Sequence, residues 1–274
     1  MVGLLAAEGG VCNLGGVSLI ACTVVQNSAG KGGDGGQHGP FYADGGPGGS
    51  GGGIYNATAS QGATLYNTIV AKNSYGTGGF GSFHVAPNGA GADLFNPFVS
   101  SGHNLIGEAD TSNTVTNGVA ADMVGSHAAP LDPKLGPLGN SGGPLPTCAP
   151  LPISSAIDNG DDLLLSLPVS IMTDQRGFTR KSGAHVDIGA TEFQPATTCL
   201  LSQRTILPDG RFTFGFSNSP DAAFSVVASY DATTPLSNWI ELGPAAQISP
   251  GLFIFVDDGA TNTPQRYYRV RSLY

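Results

Sequence analysis

The sequence predicts an all-β chain in which a parallel β-helix is followed by a small antiparallel β-sandwich. Three observations lead there. Two distant stretches align without a gap and share a strand pattern, which is how stacked solenoid rungs look in sequence. The 42 glycines and the 11% of charged residues stand against usual shares of ~7% and ~25%, so the chain is rich in turns and poor in ionic surface. From Arg204 onward, short alternating runs are separated by turn clusters at the spacing of a small sandwich. An apolar content of 40% argues for a buried core rather than low-complexity disorder.

The first rung is read from Ser18-Leu-Ile-Ala-Cys-Thr-Val-Val-Gln-Asn-Ser28, the second from Thr64-Leu-Tyr-Asn-Thr-Ile-Val-Ala-Lys-Asn-Ser74. Each follows a Gly-Gly-apolar-x-Asn step, Gly9 to Asn13 and Gly52 to Asn56. Leu19, Ala21, Thr23 and Val25 alternate with more variable residues, as do Leu65, Asn67, Ile69 and Ala71. Such alternation predicts a strand of about eight residues, ended by the Asn-Ser turn. Stacking would let the recurring Asn side chains bond to their copies above and below.

Between the two copies lies a glycine-rich run, Gly30 to Gly53, expected as a flexible or rung-lengthening insert. It carries no Gly-Lys-Ser/Thr and no strand–loop–helix context, so it is not a phosphate loop. Gly33-Asp34-Gly35 and Asp44-Gly45 are its only resemblance to a calcium loop. His103-Asn-Leu-Ile-Gly107 reads as another rung, and Glu108 to Pro130 as a loop-rich closing one. His103 with Asp93 invites comparison with a catalytic dyad; beside a turn Asn, a structural His103 is the better expectation.

From Asp132 to Phe193 the chain is crowded with Pro, Gly and Asp at turn-forming spacings. Here NTIVAKNS, SGHNLIG, DPKLGPLGNSGGPLPT, SSAIDNGD, TDQRGF and HVDIGATEF occur in one order. That order, over roughly residues 50 to 194, resembles the choice-of-anchor Q domain proteins, secreted bacterial β-helix proteins that look related to polymorphic outer-membrane-protein repeats. The resemblance implies a right-handed, pectate-lyase-like parallel β-helix, exported to the cell surface or beyond, with a variable C-terminal module. It implies no established reaction. Two departures stand out: Cys148 replaces a common His in PTCAP, and the N-terminal part is short, as though earlier rungs were missing. The expected domains are 1–198, the β-helix with its closing cap, and 199–274, the sandwich.

In that sandwich the strands are read from Arg211 to Phe216, Phe224 to Ser229, Leu252 to Val256 and Arg266 to Arg271. Turn clusters at Ser217 to Asp221, Asp257 to Gly259 and Thr261 to Pro264 separate them. The lone Trp239 is expected as a core anchor, with carbohydrate binding by Trp239 and the tyrosines as the rival reading.

The formal charge of -9 argues against nucleic acid as a partner, because phosphate binding needs concentrated Lys and Arg. It fits an extracellular protein able to offer carboxylates to Ca²⁺. Cys12, Cys22, Cys148 and Cys199 show no C-x-x-C spacing and cannot be paired from sequence; each is expected as a small buried hydrophobe. No apolar run approaches the ~18 residues of a membrane span. MVGLLAAEGG lacks the basic and apolar regions of a signal peptide, and the rung pattern favours an N-terminally truncated chain over a cytoplasmic one.

Asp158, Asp161, Asp162, Asp174, Arg176, Asp187 and Glu192 form the one dense polar constellation. Asp158, Asp161, Asp162 and Asp187 are the candidate Ca²⁺ ligands, and Asp174, Arg176 and Asp187 the candidate catalytic groups. The competing expectation has Asp158 and Asp187 bonding backbone N–H groups in turns, with Arg176 paired to one of them. No G-x-S-x-G, H-E-x-x-H or P-loop occurs, and the five His are dispersed. The leading functional expectation is an exported, monomeric surface protein with a structural, adhesive or extracellular-binding role. The alternatives are a Ca²⁺-dependent hydrolase or lyase acting on a polysaccharide, ester or lactone, and a carbohydrate-binding module.

Overall fold

A computed structural model describes residues 10–38, 41–57, 62–81, 84–109, 114–196, 199–220, 222–260 and 265–273. The first nine residues, with Gly9 of the first Gly-Gly step, Asp221 and the turn cluster expected at Thr261 to Pro264 lie outside them. The fold is all-β, with two short 3₁₀ turns, Asp162–Leu165 and Leu236–Asn238, and no α-helix among the described residues. Accordingly no helix there is long and apolar enough to cross a membrane. Met1–Lys134 with Ile153–Glu192 form one compact unit, and Leu135–Pro152 with Phe193–Tyr274 a second.

In the first unit the chain makes β1 (Val11–Asn13), β2 (Val17–Ile20) and β3 (Thr23–Val25), then a short hairpin of β4 (Gln37–His38) and β5 (Phe41–Tyr42). A second pass makes β6 (Ile54–Asn56), β7 (Ala63–Tyr66) and β8 (Ile69–Ala71). A third makes β9 (Leu94–Phe95), β10 (Val99–Ser100) and β11 (Leu105–Ile106), followed by β12 (Met123–Val124). Three parallel sheets result, ordered β1-β6-β9, β2-β7-β10 and β3-β8-β11-β12. The chain visits them in the same order on each pass.

The register reproduces the sequence alignment: Ser18 pairs Thr64, Leu19 pairs Leu65, Val24 pairs Val70 and Ser28 bridges Ser74. Leu19, Ile54, Leu65, Val70, Leu94, Phe98 and Ile106 fill the space between the sheets. The recurring Asn residues do stack. Asn13 Nδ2 donates to Asn56 Oδ1 at 2.8 Å, Asn27 Nδ2 to Asn73 Oδ1 at 3.0 Å, and Asn73 Nδ2 to Asp93 Oδ1 at 2.8 Å.

One expectation changes here. The alternation from Leu19 to Val25 is not one strand but two, broken at a corner where Ala21 has φ 51°. Asn67 (φ 48°) and His103 (φ 53°) occupy the same corner on the next two passes. A single left-handed residue shifts the pleat by one, so Val24 and Val70 face the core while Thr23 faces outward.

The glycine-rich segments are ordered, not flexible linkers. Four threads, near residues 30–36, 43–51, 76–81 and 84–91, run side by side without being strands. Their lateral hydrogen bonds recur at every third residue: Gly32 and Gly35 donate to Thr77 and Phe80, Gly46 and Gly49 to Gly33 and Gly30, and Gly76 and Gly79 to Gly49 and Gly46. The fourth thread joins through Ala86 to Gly79 and Gly89 to Gly76. A three-residue period belongs to polyproline-II geometry, which has no internal hydrogen bonds and satisfies its backbone sideways. Glycine is required because a Cβ on Gly76 would lie 1.8 Å from the Gly30 carbonyl oxygen, and one on Gly48 1.9 Å from that of Gly76.

The second unit contains β13 (Ser202–Ile206), β14 (Phe212–Ser217), β15 (Phe224–Ser229), β16 (Ile240–Pro244), β17 (Ala246–Ser249), β18 (Leu252–Asp257) and β19 (Tyr267–Ser272). They form antiparallel sheets β13-β14-β18-β17 and β16-β15-β19. Phe214, Phe216, Phe224, Val226, Phe253 and Phe255, drawn from both sheets, share one core. Phe216 stacks on Phe253 and meets Phe224 edge-on, geometries that favour aromatic pairs.

Candidate functional site

The polar constellation assembles in residues 153–192, against the corner marked by Asn67. Asn67 Oδ1 accepts the Asp161 N–H at 2.8 Å, the Asn67 carbonyl accepts the Gly189 N–H, and Thr23 Oγ1 accepts the Ala190 N–H. The segment lies along the outer side of the corners, where Gly189 has no room for a side chain beside Ile69.

TDQRGF forms a turn closed by Gly177 (φ 93°) and held by Asp174. Asp174 Oδ1 accepts the Arg176 and Phe178 N–H groups at 2.8 and 3.1 Å. Its Oδ2 accepts Arg176 Nε at 2.9 Å, Arg176 Nη2 at 2.7 Å and the Glu192 N–H at 3.0 Å. Both side chains of this ion pair are 0% exposed. Arg176 also donates to the Glu192 carbonyl and stacks over Phe178.

Asp187 Oδ1 accepts the Asp158 N–H at 2.8 Å, and Asp158 Oδ1 accepts the His185 N–H at 3.0 Å. Arg176 pairs with Asp174, a carboxylate two residues away that the sequence did not single out as its partner. Glu192 spans Asp187 and Ser182, accepting both N–H groups. Burial, then the neighbouring Asp187 charge, push its carboxyl up to about 7. Asp161 caps the 3₁₀ turn at Leu163 and accepts the Tyr66 hydroxyl at 3.0 Å, with burial and that bond raising the phenol to about 12. Asp162 binds Lys181 at 2.5 Å, His185 and the Val186 N–H, and the lysine beside it holds its carboxyl low.

Arg180 is the group that sequence reading missed. It is 1% exposed, donates through Nη2 to the Asp187 and Gly189 carbonyls, and its Nε has no partner among the described residues. Nothing in FTRKSG distinguishes it from a surface Arg. With Asp174, Gln175, Thr23 and Cys22 it lines an open cleft of about 520 Å³. Burial pushes the Cys22 thiol up, which disfavours a nucleophilic thiolate.

The candidate groups thus come together, but their oxygens accept from backbone N–H groups, from Arg176 and Lys181 and from the Tyr66 hydroxyl. Among the described residues no group of three or more His, Cys, Asp or Glu is arranged to hold a metal ion. Asp34 binds Lys31 and the Phe80 N–H within the glycine bundle. His103 Nδ1 meets the Asn159 carbonyl at 2.8 Å, while Asp93 ends the Asn27–Asn73 ladder, so these two form no dyad. Asp93 directly precedes β9, as Gly53 precedes β6, so register does not reveal its role. No family model, curated protein or solved structure matches this chain.

Proposed function

We propose that this chain is part of an exported or cell-surface protein in which a right-handed parallel β-helix acts as a rigid spacer for adhesion or extracellular binding, carrying a C-terminal β-sandwich. The motif order that resembles choice-of-anchor Q proteins supports the address and the handedness. The observation that carries the non-catalytic reading is Asp174: five donors already occupy its two oxygens. A general base needs an oxygen free to take a proton, and this one is committed to fastening the segment 153–192.

The test is a turnover screen of the purified chain against acidic and neutral polysaccharides and small esters, with Ca²⁺ and with EDTA. The expected result is no turnover and the same melting temperature in both. Turnover that disappears in a still-folded Asp174→Asn variant, or a melting temperature raised by Ca²⁺, would overturn the reading.

A further inference from the structure

Trp239 is not where a core anchor would be. It is partly buried, lies outside the phenylalanine core, and its Nε1 donates to the Thr234 carbonyl at 2.9 Å. The loop that holds it is wired throughout. Asp231 Oδ1 accepts both the N–H and the hydroxyl of Thr233 at 2.8 Å, Ser229 Oγ bonds the backbone of Asp231, and the Trp239 N–H closes the 3₁₀ turn on Leu236. The indole is therefore presented in a set orientation, at little ordering cost on binding.

Opposite it stands the edge strand β19. Tyr267 and Arg269 pair with Ser229 and Val227 of β15, and Val227 pairs with Glu241 of β16, so Tyr267, Arg269 and Glu241 share one face. Trp239, extended and two residues before Glu241, projects on that face too. Trp239, Tyr267 and Arg269, with Thr234 and Leu236 of the loop, line a cleft of about 290 Å³. That is just below the ~300–1,000 Å³ range of small-molecule sites, the size of a sugar unit with the rest of a chain outside.

The charge pattern narrows the ligand. Arg266 is paired with Asp257 at 2.7 Å and Arg271 with Glu241 at 3.0 Å. Arg269 lies between them in sequence and has no carboxylate partner among the described residues. In a chain of formal charge -9, an unpaired guanidinium beside two aromatic rings is a local site for an anion with an apolar face. A uronic acid has both: ring C–H groups that lie against an aromatic face, and a carboxylate that an Arg can grip through two parallel N–H bonds. Trp, Tyr and Arg also dominate protein-binding hot spots, but a concave, ring-sized cleft favours the sugar.

We propose that the Trp239–Tyr267–Arg269 cleft binds a carboxylate-bearing sugar, a uronic acid free or within an acidic polysaccharide. This goes beyond the spacer reading of the first unit and does not depend on it. The test is calorimetric titration of the full chain with polygalacturonate, free galacturonate and neutral dextran, for the native sequence and for Arg269→Gln, Trp239→Ala and Tyr267→Ser. The expected result is binding of the uronate ligands that dextran does not show. It should weaken about tenfold or more in Arg269→Gln and in at least one aromatic variant, as expected for a charge-assisted bond and a buried ring face, with melting temperature retained. Tighter binding of the polymer would assign the cleft to a chain, and equal binding to the monosaccharide. No binding of either uronate, equal binding of dextran, or affinity unchanged in every folded variant would overturn the proposal.

Discussion

The corner residue shows how little sequence is needed to turn this chain. Ala21, Asn67 and His103 take left-handed conformations at one corner on successive passes; Asn67 adds side-chain bonds to the Asp161 N–H and carbonyl, and His103 one to the Asn159 carbonyl. A left-handed alanine is strained, so Ala21→Gly should stabilise the protein by about 0.5–1 kcal/mol. Asn67→Gly should destabilise it despite the easier backbone, because it leaves the Asp161 N–H without its acceptor. Thermal unfolding of the two variants reads the opposite signs. For the buried ion pair, Asp174→Ala removes the carboxylate that Arg176 grips through Nε and Nη2 at 0% exposure. That should cost about 3–5 kcal/mol, seen as a lowered midpoint in urea.

At the scale of elements, the glycine threads and the coiled strands solve one problem differently. A strand places every second side chain inward, so apolar residues can fill a core. A thread with three residues per turn points side chains in three directions, and every direction that faces another thread must be glycine. The central thread, Gly76-Thr-Gly-Gly-Phe-Gly81, faces neighbours on two sides and keeps only Thr77 and Phe80 exposed. Gly76→Ala should therefore destabilise the protein by about 1–3 kcal/mol or more. Gly33→Ala and Gly36→Ala, where a Cβ would meet nothing within 4 Å, should leave the melting temperature unchanged. Equal effects at the three positions would show that the threads do not pack in solution.

Over the whole molecule, the pH dependence of stability follows from two buried carboxyls. Burial raises Asp93 to about 6 from 3.8 and Glu192 to about 7 from 4.5. Between the unfolded and folded values the native state holds protons that the unfolded chain has released, so the slope of stability against pH is negative. These groups contribute fully below about pH 4, and their contribution is lost as pH rises through 6 to 7. Repulsion within a chain of formal charge -9 acts in the same direction. Urea midpoints should fall from pH 5 to pH 7.5, and Glu192→Gln should flatten that fall. A midpoint that rises over this interval would contradict the burial of both groups.

The sequence by itself determined the coils. An ungapped repeat imposes its own register when copies stack, so the alignment itself places Leu19 above Leu65 and Asn27 above Asn73. The two alternating units and the clustering of Asp158, Asp174 and Asp187 were also legible. The glycine threads were readable in principle, since Gly-Gly-x recurs in GKGGDGGQ and DGGPGGSGG, but a three-residue period looks like a linker until its neighbours are known. Tertiary structure alone decided the rest. Whether a carboxylate is free or spent depends on which backbone N–H groups reach it, and those of Asp174 come partly from Glu192, remote in the chain. Whether Trp239 packs inward or stands in a cleft depends on the loop from Asp231, which local alternation does not encode. Partners beyond the reach of a two-residue alternation take part in both outcomes, Glu192 for Asp174 and the Asp231 loop with Tyr267 of β19 for Trp239.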